Sequence, residues 1–499
     1  MSENSPSISL RNVIGYQCFV DSFAVGEKSL TEKSALYPTT VYNHPTKLLY
    51  WGEEFPEYCY GYAFYGGDLS GVGSSIQHYL ADFGIDLLYL TPIFKADSNH
   101  KYDTVDYYMI DPQFGDLSIF HKLVETCHHH RIKLILDGVF NHTSYHHDWY
   151  IKAQQGNTPF IDYYKKNEQG YFLNWNGIET LPLLNHTNPD VQAYLYESPK
   201  SVVKYWLDQG ADGWRLDVAE GLGVDVISQI KKSIRTSHPD RILYGEVIET
   251  YGKKWLGPDL LDGLMNYVFL GTTVNFLTDK INGEAYLSEL TNMYNEYPHD
   301  QLYNSWNIIS THDTNRMIHA VNGNENLFKI AVTLQFTYPG IPMIYNGDEL
   351  GVMPGQHDKD NRQGLEWERV DILKLKAKAP WKVTPPMDWD RINQYSSFHF
   401  FYKHLIWLRK HYHVFADGEF VPAYADEFIL GYFRVKENKV ALIIVNKGND
   451  KDITISIPQA ICKNASVLKG VHGPVSEINV SGTSLTLKVN GQNALIFVN

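Results

Sequence analysis

ADGWRLDV, residues 211–218, decides the fold. Trp214 and Leu216 alternate with Arg215 and Asp217, so an extended chain turns two apolar side chains to one face and two charged ones to the other. Before it stands SVVKYWLDQG, residues 201–210, and after it VDVISQIKKSIR, residues 224–235, both with apolar residues at helical spacing. The next β-branched and aromatic run, RILYGEV, residues 241–247, again carries an acid near its end, Glu246. Strand, helix and strand in that order predict neighbouring parallel strands joined by a crossover helix.

The same alternation continues outward in both directions. Upstream lie NVIGYQCFV from Asn12, IDLLYLTPIF from Ile85 and IKLILDGVF from Ile132; downstream lie GLMNYVF from Gly263, WNIISTHD from Trp306 and IPMIYNGDE from Ile341. With the central pair this makes eight runs, most neighbours separated by an amphipathic segment, which predicts an α/β fold with a closed (β/α)8 TIM barrel. One connection is too long for a simple crossover: about fifty residues rich in Asn, Tyr, Gly and His separate His142 from the helix opening near Asp190, the mark of a functional loop or small inserted domain. After FHFFYKHLIWLRKHY, residues 398–412, the pattern changes to short alternating runs, EFILGYFRV, KVALIIVNK, DITISIP, SLTLKV and ALIFV. The expected organisation is a barrel from residues 1–142 and 190–413, an inserted segment at 143–189, and a C-terminal antiparallel β-sandwich at 414–499.

Composition narrows the function. The chain is 43% apolar and 20% charged, ordinary for a folded protein, and its formal net charge of −14 without a basic stripe argues against a nucleic-acid partner. Its 35 Tyr and 11 Trp suit a substrate with apolar ring faces, as a sugar has, although most of them belong to ordinary packing. Cys18, Cys59, Cys127 and Cys462 are scattered without C-x-x-C spacing, so free thiols are expected and neither a disulfide framework nor a zinc site is. The stretch MSENSPSISL has no basic n-region or apolar h-region, and no run of eighteen apolar residues occurs, which predicts a cytoplasmic protein with no membrane partner. The triplet His128, His129 and His130 reads as a solvated helix end.

Polar residues recur where strands should end: Asp137, Asn141 and His142 in the third unit, Arg215 and Asp217 in the fourth, Glu246 in the fifth, His312 and Asp313 in the seventh. In a barrel that end is where active sites are built. Any one of these residues alone reads more simply as a cap or a salt-bridge partner; five clusters at one end do not. Asp217 and Glu246 are one strand-helix unit apart and would stand side by side, as the two carboxyl groups of a retaining glycosidase must. Arg215, on the same face as Asp217, would keep that nucleophile ionised, and Asp137 is read as structural, holding Arg215 or the loop after the third strand. A general acid must keep its proton near neutrality, and Asp217 and Asp313 could supply the like charge that favours this on Glu246.

These segments resemble the α-amylase family of glycoside hydrolases: DGVFNH from Asp137, GWRLDVAE from Gly213, GEVIE from Gly245 and STHDTNR from Ser310, with FYGGDLSGV from Phe64, YLTPIFKADSNHKYDTVDYYMIDPQFGD from Tyr89, LPLLN from Leu181, IPMIYNGDELG and DKDNRQGLEW in support. The resemblance covers roughly residues 12–445. It implies Asp217 as nucleophile, Glu246 as acid/base and Asp313 as the carboxylate that binds sugar hydroxyls and distorts the ring, with Tyr102, His142, Arg215, His312, Asp358 and Arg362 around the substrate. SNHKYDT, GGDL and MNY from Met265 are most similar to the cyclomaltodextrinase, neopullulanase and maltogenic amylase group, whose members usually carry an extra N-terminal β-domain, whereas this chain starts almost at its first barrel strand. Ile248 stands where the group commonly has Trp, and LPLLN where it commonly has MPKLN.

The substrate so implied is an α-1,4- or α-1,6-linked glucan oligosaccharide, cyclodextrin or pullulan. An exo-acting α-glucosidase or trehalose-type isomerase on the same barrel is the alternative, and a non-catalytic binding relative a remoter one. The reaction requires no cofactor. Calcium stays open: Asn141 matches a calcium ligand of the family, while FAVGEKSL, residues 23–30, lacks the acidic cluster that often binds the ion in this group. The metal site and the oligomeric state are left unassigned.

Overall fold

The computed structural model describes residues 10–49, 61–248, 252–352, 397–474 and 478–499. Eight parallel strands form a closed barrel in sequence order: β1 (Gly15–Cys18), β2 (Leu87–Leu90), β3 (Lys133–Gly138), β4 (Gly213–Leu216), β5 (Ile242–Val247), β6 (Gly263–Asn266), β7 (Trp306–Asn307) and β8 (Ile341–Tyr345). β1 closes the ring, with Gly15 opposite both Leu87 of β2 and Met343 of β8. Each of the eight expected runs contributes one of these strands.

Side-chain alternation builds two layers from each strand. Leu87, Tyr89, Ile135, Ile242, Tyr244, Met265, Trp306, Ile341 and Met343 point inward and fill the lumen, where the Trp306 ring lies 4.3 Å from Tyr244 and 5.1 Å from Tyr89, centroid to centroid. Leu134, Leu136, Trp214, Leu216, Leu243 and Val247 point outward, against the helices. The helix Val224–Ser237 buries Val226, Ile227, Ile230 and Ile234, the stripe its spacing predicts. The helix Leu117–His129 is capped by Asp116, whose side chain accepts the Ile119 N–H. Its histidine end is solvent-facing as expected, with the His128 side chain 43% accessible, and His128 Nε2 also lies 2.8 Å from Asp212 Oδ2, which accepts the Leu134 N–H.

The seventh run is the main departure. WNIISTHD forms a strand only over Trp306–Asn307, and His312 and Asp313 stand in the loop beyond it. Thr314 Oγ1 accepts the Thr311 N–H and Thr311 Oγ1 the Asp313 N–H, so side chains take over backbone donors that a ladder would have used.

Between β3 and the helix Pro189–Gln192 the long connection forms one α-helix, Asp148–Gln154, two short 3-10 turns, Phe160–Tyr163 and Trp175–Gly177, and isolated bridges such as Tyr164 to Leu184 and Asn174 to Pro182. It folds back on the barrel mouth through the His142–Leu183 bridge, with the Trp175 ring 5.9 Å from His142.

At the C-terminus two antiparallel sheets pack face to face. One contains β9 (Glu419–Ala425), β10 (Ile429–Lys436), β11 (Lys439–Asn446), β13 (Lys469–His472) and β16 (Asn493–Val498); the other contains β12 (Lys451–Ser456), β14 (Ile478–Ser481) and β15 (Ser484–Val489). The five alternating runs leave out β9, β13 and β14. These strands have partly exposed side chains and a Pro or Gly in two of them, so their apolar alternation is weak. KVALIIVN of β11 is continuously apolar because both faces are covered: Ala441, Ile443 and Val445 meet the barrel helices, and Val440, Leu442 and Ile444 the second sheet. Among the described residues no helix is long and apolar enough to cross a membrane, and Cys18, Cys127 and Cys462 are free thiols.

Candidate active site

Register places the carboxyl pair. Leu216 of β4 pairs with Gly245 of β5, so the next residues on the two adjacent strands are Asp217 and Glu246. Arg215 pairs with Asp137 of β3 on its other side, and all four side chains are buried at the C-terminal end of the lumen.

One guanidinium organises the cluster. Arg215 Nη1 donates to Asp137 Oδ1 at 2.9 Å and Oδ2 at 3.0 Å and to Asp217 Oδ1 at 3.0 Å, while Nη2 lies 3.0 Å from Glu246 Oε2. That last contact is an ion pair lying off the N–H direction. Arg215 Nε points to the Met265 sulfur at 3.4 Å, and the guanidinium carbon sits 5.7 Å from the centre of the Tyr89 ring below. The planar fork therefore fixes the carboxyl groups of Asp217 and Glu246 relative to each other.

The charges do not balance, and that matters chemically. One cation faces three carboxyl groups, so the cluster readily retains a proton. Burial pushes the Asp217 carboxyl well above the usual range; Arg215 pulls it down, and Glu246, Asp137 and Asp313 push it up again. Arg215 thus offsets part of the cost of an ionised Asp217 rather than fixing its charge alone. Burial likewise raises Asp137, against Arg215 and the hydroxyls of Tyr89 and Tyr102, which donate to its Oδ2 at 2.6 and 2.8 Å.

Glu246 is gripped from three sides. Its Oε2 accepts the Val218 N–H at 3.1 Å and faces Arg215, and its Oε1 lies 3.2 Å from the Tyr267 hydroxyl. Val218 holds φ 45° and ψ 50°, the left-handed region that a β-branched residue rarely enters. This turn immediately after Asp217 aims the Val218 N–H across at Glu246. Two residues on, Glu220 Oε1 accepts the N–H of Ile248, so the β4 turn holds the β5 end at two points.

The sugar-facing candidates surround this pair. His142 Nε2 lies 3.0 Å from the Tyr102 carbonyl oxygen, and burial lowers the imidazole to about 4, so it is neutral with Nε2–H donating; Nδ1 has no hydrogen-bond partner. Gln17 Nε2 donates to His312 Nδ1 at 2.8 Å, which puts the His312 proton on Nε2, 2.7 Å from the Tyr102 hydroxyl and 2.9 Å from Asp313 Oδ2. The Tyr102 and His312 rings are stacked at 5.3 Å. Asp313 is exposed, its side chain 43% accessible at the mouth.

Asp217, Glu246, Asp313, Tyr102, His142, Arg215 and His312 are thus brought to one end of the barrel, while Asp358 and Arg362 lie outside the described residues. Val247 is buried in the outer core, so of the two residues after Glu246 only Ile248, 66% exposed, faces solvent. Asn141 is buried at the same end, and among the described residues no group of three His, Cys, Asp or Glu side chains could hold a metal ion. Tyr267, Tyr89, Gln17 and the Val218 N–H join the residues expected from the sequence. The three side chains follow the strand-end rule applied to β6, β2 and β1; the N–H depends on a backbone conformation that Val does not advertise.

The model of the alpha amylase catalytic domain matches residues 17–418. Neopullulanase 2 of Thermoactinomyces vulgaris is 32% identical over 94% of this chain and 76% of its own length. A solved cyclomaltodextrinase superposes with a TM-score of 0.78 at 28% identity, covering 98% of this chain and 78% of the other. The native form of a Nostoc punctiforme debranching enzyme gives 0.80 at 25% identity, covering 100% of both chains. The chain belongs to the alpha-amylase family of glycoside hydrolases.

Proposed function

We propose that this protein cleaves α-1,4 and α-1,6 bonds of maltooligosaccharides, cyclodextrins or pullulan by double displacement, with Asp217 as nucleophile and Glu246 as acid/base. The observation that carries this is the Asp217–Arg215–Glu246 fork on adjacent, in-register strands. A pair set side by side in this way suits retention, in which one carboxylate attacks directly; inversion needs a wider gap that admits water.

Arg215 holds Asp217 Oδ1, leaving Oδ2 to attack the anomeric carbon as the glycosidic C–O bond breaks. Oε2 of Glu246 is taken by Val218 and Arg215, so the proton passed to the leaving oxygen sits on Oε1, beside Tyr267. In the second half Glu246 takes a proton from water, whose oxygen displaces Asp217 from the sugar. Asp313 binds sugar hydroxyls, and Tyr102, His142 and His312 line the same subsite. The names of the relatives support the glucan class, and the free thiols Cys18, Cys127 and Cys462 support a reducing, cytoplasmic setting.

Incubation with maltotriose, β-cyclodextrin, pullulan and isomaltose tests the reading. Maltose or panose released first as the α-anomer, and a drop of about a thousandfold in kcat for Glu246→Gln, are expected. Glucose alone or a rearranged disaccharide would favour the exo-acting or isomerase alternative. No turnover of any α-glucan by the wild type would leave a binding protein.

A further inference from the structure

The loop following β1 closes over a buried cation that the chain itself supplies. Lys33, its side chain 4% exposed, places Nζ 2.7 Å from Asp68 Oδ2, and the same ammonium donates to the Gly66 carbonyl. Asp68 Oδ2 also accepts the Gly26 N–H at 3.2 Å, and its Oδ1 caps the following helix by accepting the Gly71 N–H at 2.8 Å. One step back, the Tyr65 and Gly66 N–H groups donate to the two oxygens of buried Asp21 at 3.0 and 3.2 Å.

The cradle is built for close approach. A Cβ on Gly67 would stand 2.1 Å from the Val20 carbonyl oxygen, one on Gly71 2.1 Å from that of Ala24, and one on Gly26 2.5 Å from Asp68 Oδ1. Side-chain-free backbone at three points draws residues 20–26 against residues 66–71, and their carboxylate and carbonyl oxygens converge. Oxygens of that kind suit a hard cation such as calcium, which takes six to eight of them. Here an ammonium already sits among them, and a divalent ion on the same oxygens would meet its charge at contact distance. The donor set therefore does not fit calcium.

We propose that the Lys33 ammonium is the resident cation of this cradle, closing the loop of residues 23–33 onto the Gly66–Asp68 turn so that the protein needs no calcium there. The fastening bears on the active site through a short path. Asn99 donates from Nδ2 to the Ala63 carbonyl at 2.7 Å and from its backbone N–H to that of Gly61 at 2.8 Å, so residues 61–68 back the loop that carries Tyr102. Lys33 acts through this packing and is a positioning residue.

Thermal unfolding of the full chain, as wild type and as Lys33→Ala, in EDTA and in millimolar calcium chloride, provides the test. The wild type is expected to melt at one temperature in both media, and Lys33→Ala about 5 °C lower in EDTA, recovering part of that loss in calcium once the cage is vacated. Its KM should rise while kcat changes less, because Tyr102 is loosened rather than removed. A wild type that loses stability in EDTA and regains it with calcium would overturn the proposal. So would Lys33→Ala melting with the wild type, or melting lower and failing to respond to calcium. If Lys33→Ala does not fold, calorimetric titration of the wild type with calcium still decides, since stoichiometric binding with a gain in melting temperature contradicts the assignment.

Discussion

Tyr267 and Val218 show how much of this site rests on single residues outside the proposed catalytic pair. The Tyr267 hydroxyl, pushed far from ionisation by burial, meets Glu246 Oε1, the oxygen proposed above to carry the transferable proton. It accepts from the acid and donates to the carboxylate left behind, so its contribution grows as the proton moves. A hydrogen bond to a charged group is worth roughly 1.5–3 kcal/mol. Tyr267→Phe should therefore lower kcat by about tenfold or more with little change in KM, measured by steady-state kinetics on a maltooligosaccharide; equal kcat in the two proteins would remove Tyr267 from the proton-transfer step. Val218 supplies the matching restraint on Oε2 from a left-handed backbone, strain placed beside Asp217, the proposed nucleophile.

At the scale of elements, catalysis depends on the spacing of β4 and β5. Gly213 pairs with Ile242 at the base of the two strands, and a Cβ on Gly213 would stand 2.4 Å from the Ile242 carbonyl oxygen, a backbone atom that cannot rotate away. Gly213→Ala should force the strands apart, costing about 1–3 kcal/mol as overpacking does and shifting Asp217 relative to Glu246. The expected result is a melting temperature several degrees lower together with a loss of kcat at 25 °C, well below the unfolding transition. A variant that is less stable yet fully active would show that the pair tolerates movement of its strands. The alternation in ADGWRLDV and RILYGEV made both strands legible, because each has one apolar face toward the helices and one face toward the lumen. The seventh strand was misjudged in length, since its Ser and Thr side chains compete locally for backbone donors.

For the whole molecule the decisive contact is the closure of the barrel, where β1 meets β8. Glu349, just after β8, accepts hydroxyl hydrogens from Tyr16 of β1 at 2.7 Å and from Tyr79 at 3.0 Å, and the Gly347 N–H at 3.0 Å. Around it stand Asp348, paired with Arg316, and His399 and Tyr402 of the helix Ser397–His411. Burial is the main cause that raises the Glu349 carboxyl to about 7. An unfolded glutamate loses its proton near pH 4.3. Between those values the folded state binds the extra proton, so this group's contribution to stability falls as pH rises through that window. Glu349→Gln cannot ionise and should remove that slope. Whatever constant offset the altered Gly347 contact imposes, the melting temperature of the variant relative to wild type should increase from pH 5 to pH 8, and parallel curves would contradict the assignment.

The sequence by itself determined the eight barrel strands, five of the sandwich strands and the place of Asp217 and Glu246 at the ends of adjacent strands. Each is written in a local period, with apolar residues on the face that will be buried and acids where the strand must end. The tertiary structure alone decided that Arg215 bridges Asp217 and Glu246, that Tyr267 and the Val218 N–H take the two oxygens of Glu246, that β9, β13 and β14 complete the sandwich, and that the Lys33 ammonium meets Asp68 and the Gly66 carbonyl. Those contacts join residues far apart in the chain, such as Lys33 and Asp68 or Glu246 and Tyr267, and no local pattern encodes them. Barrel closure brings them within hydrogen-bond distance, and burial then makes each bond or charge count.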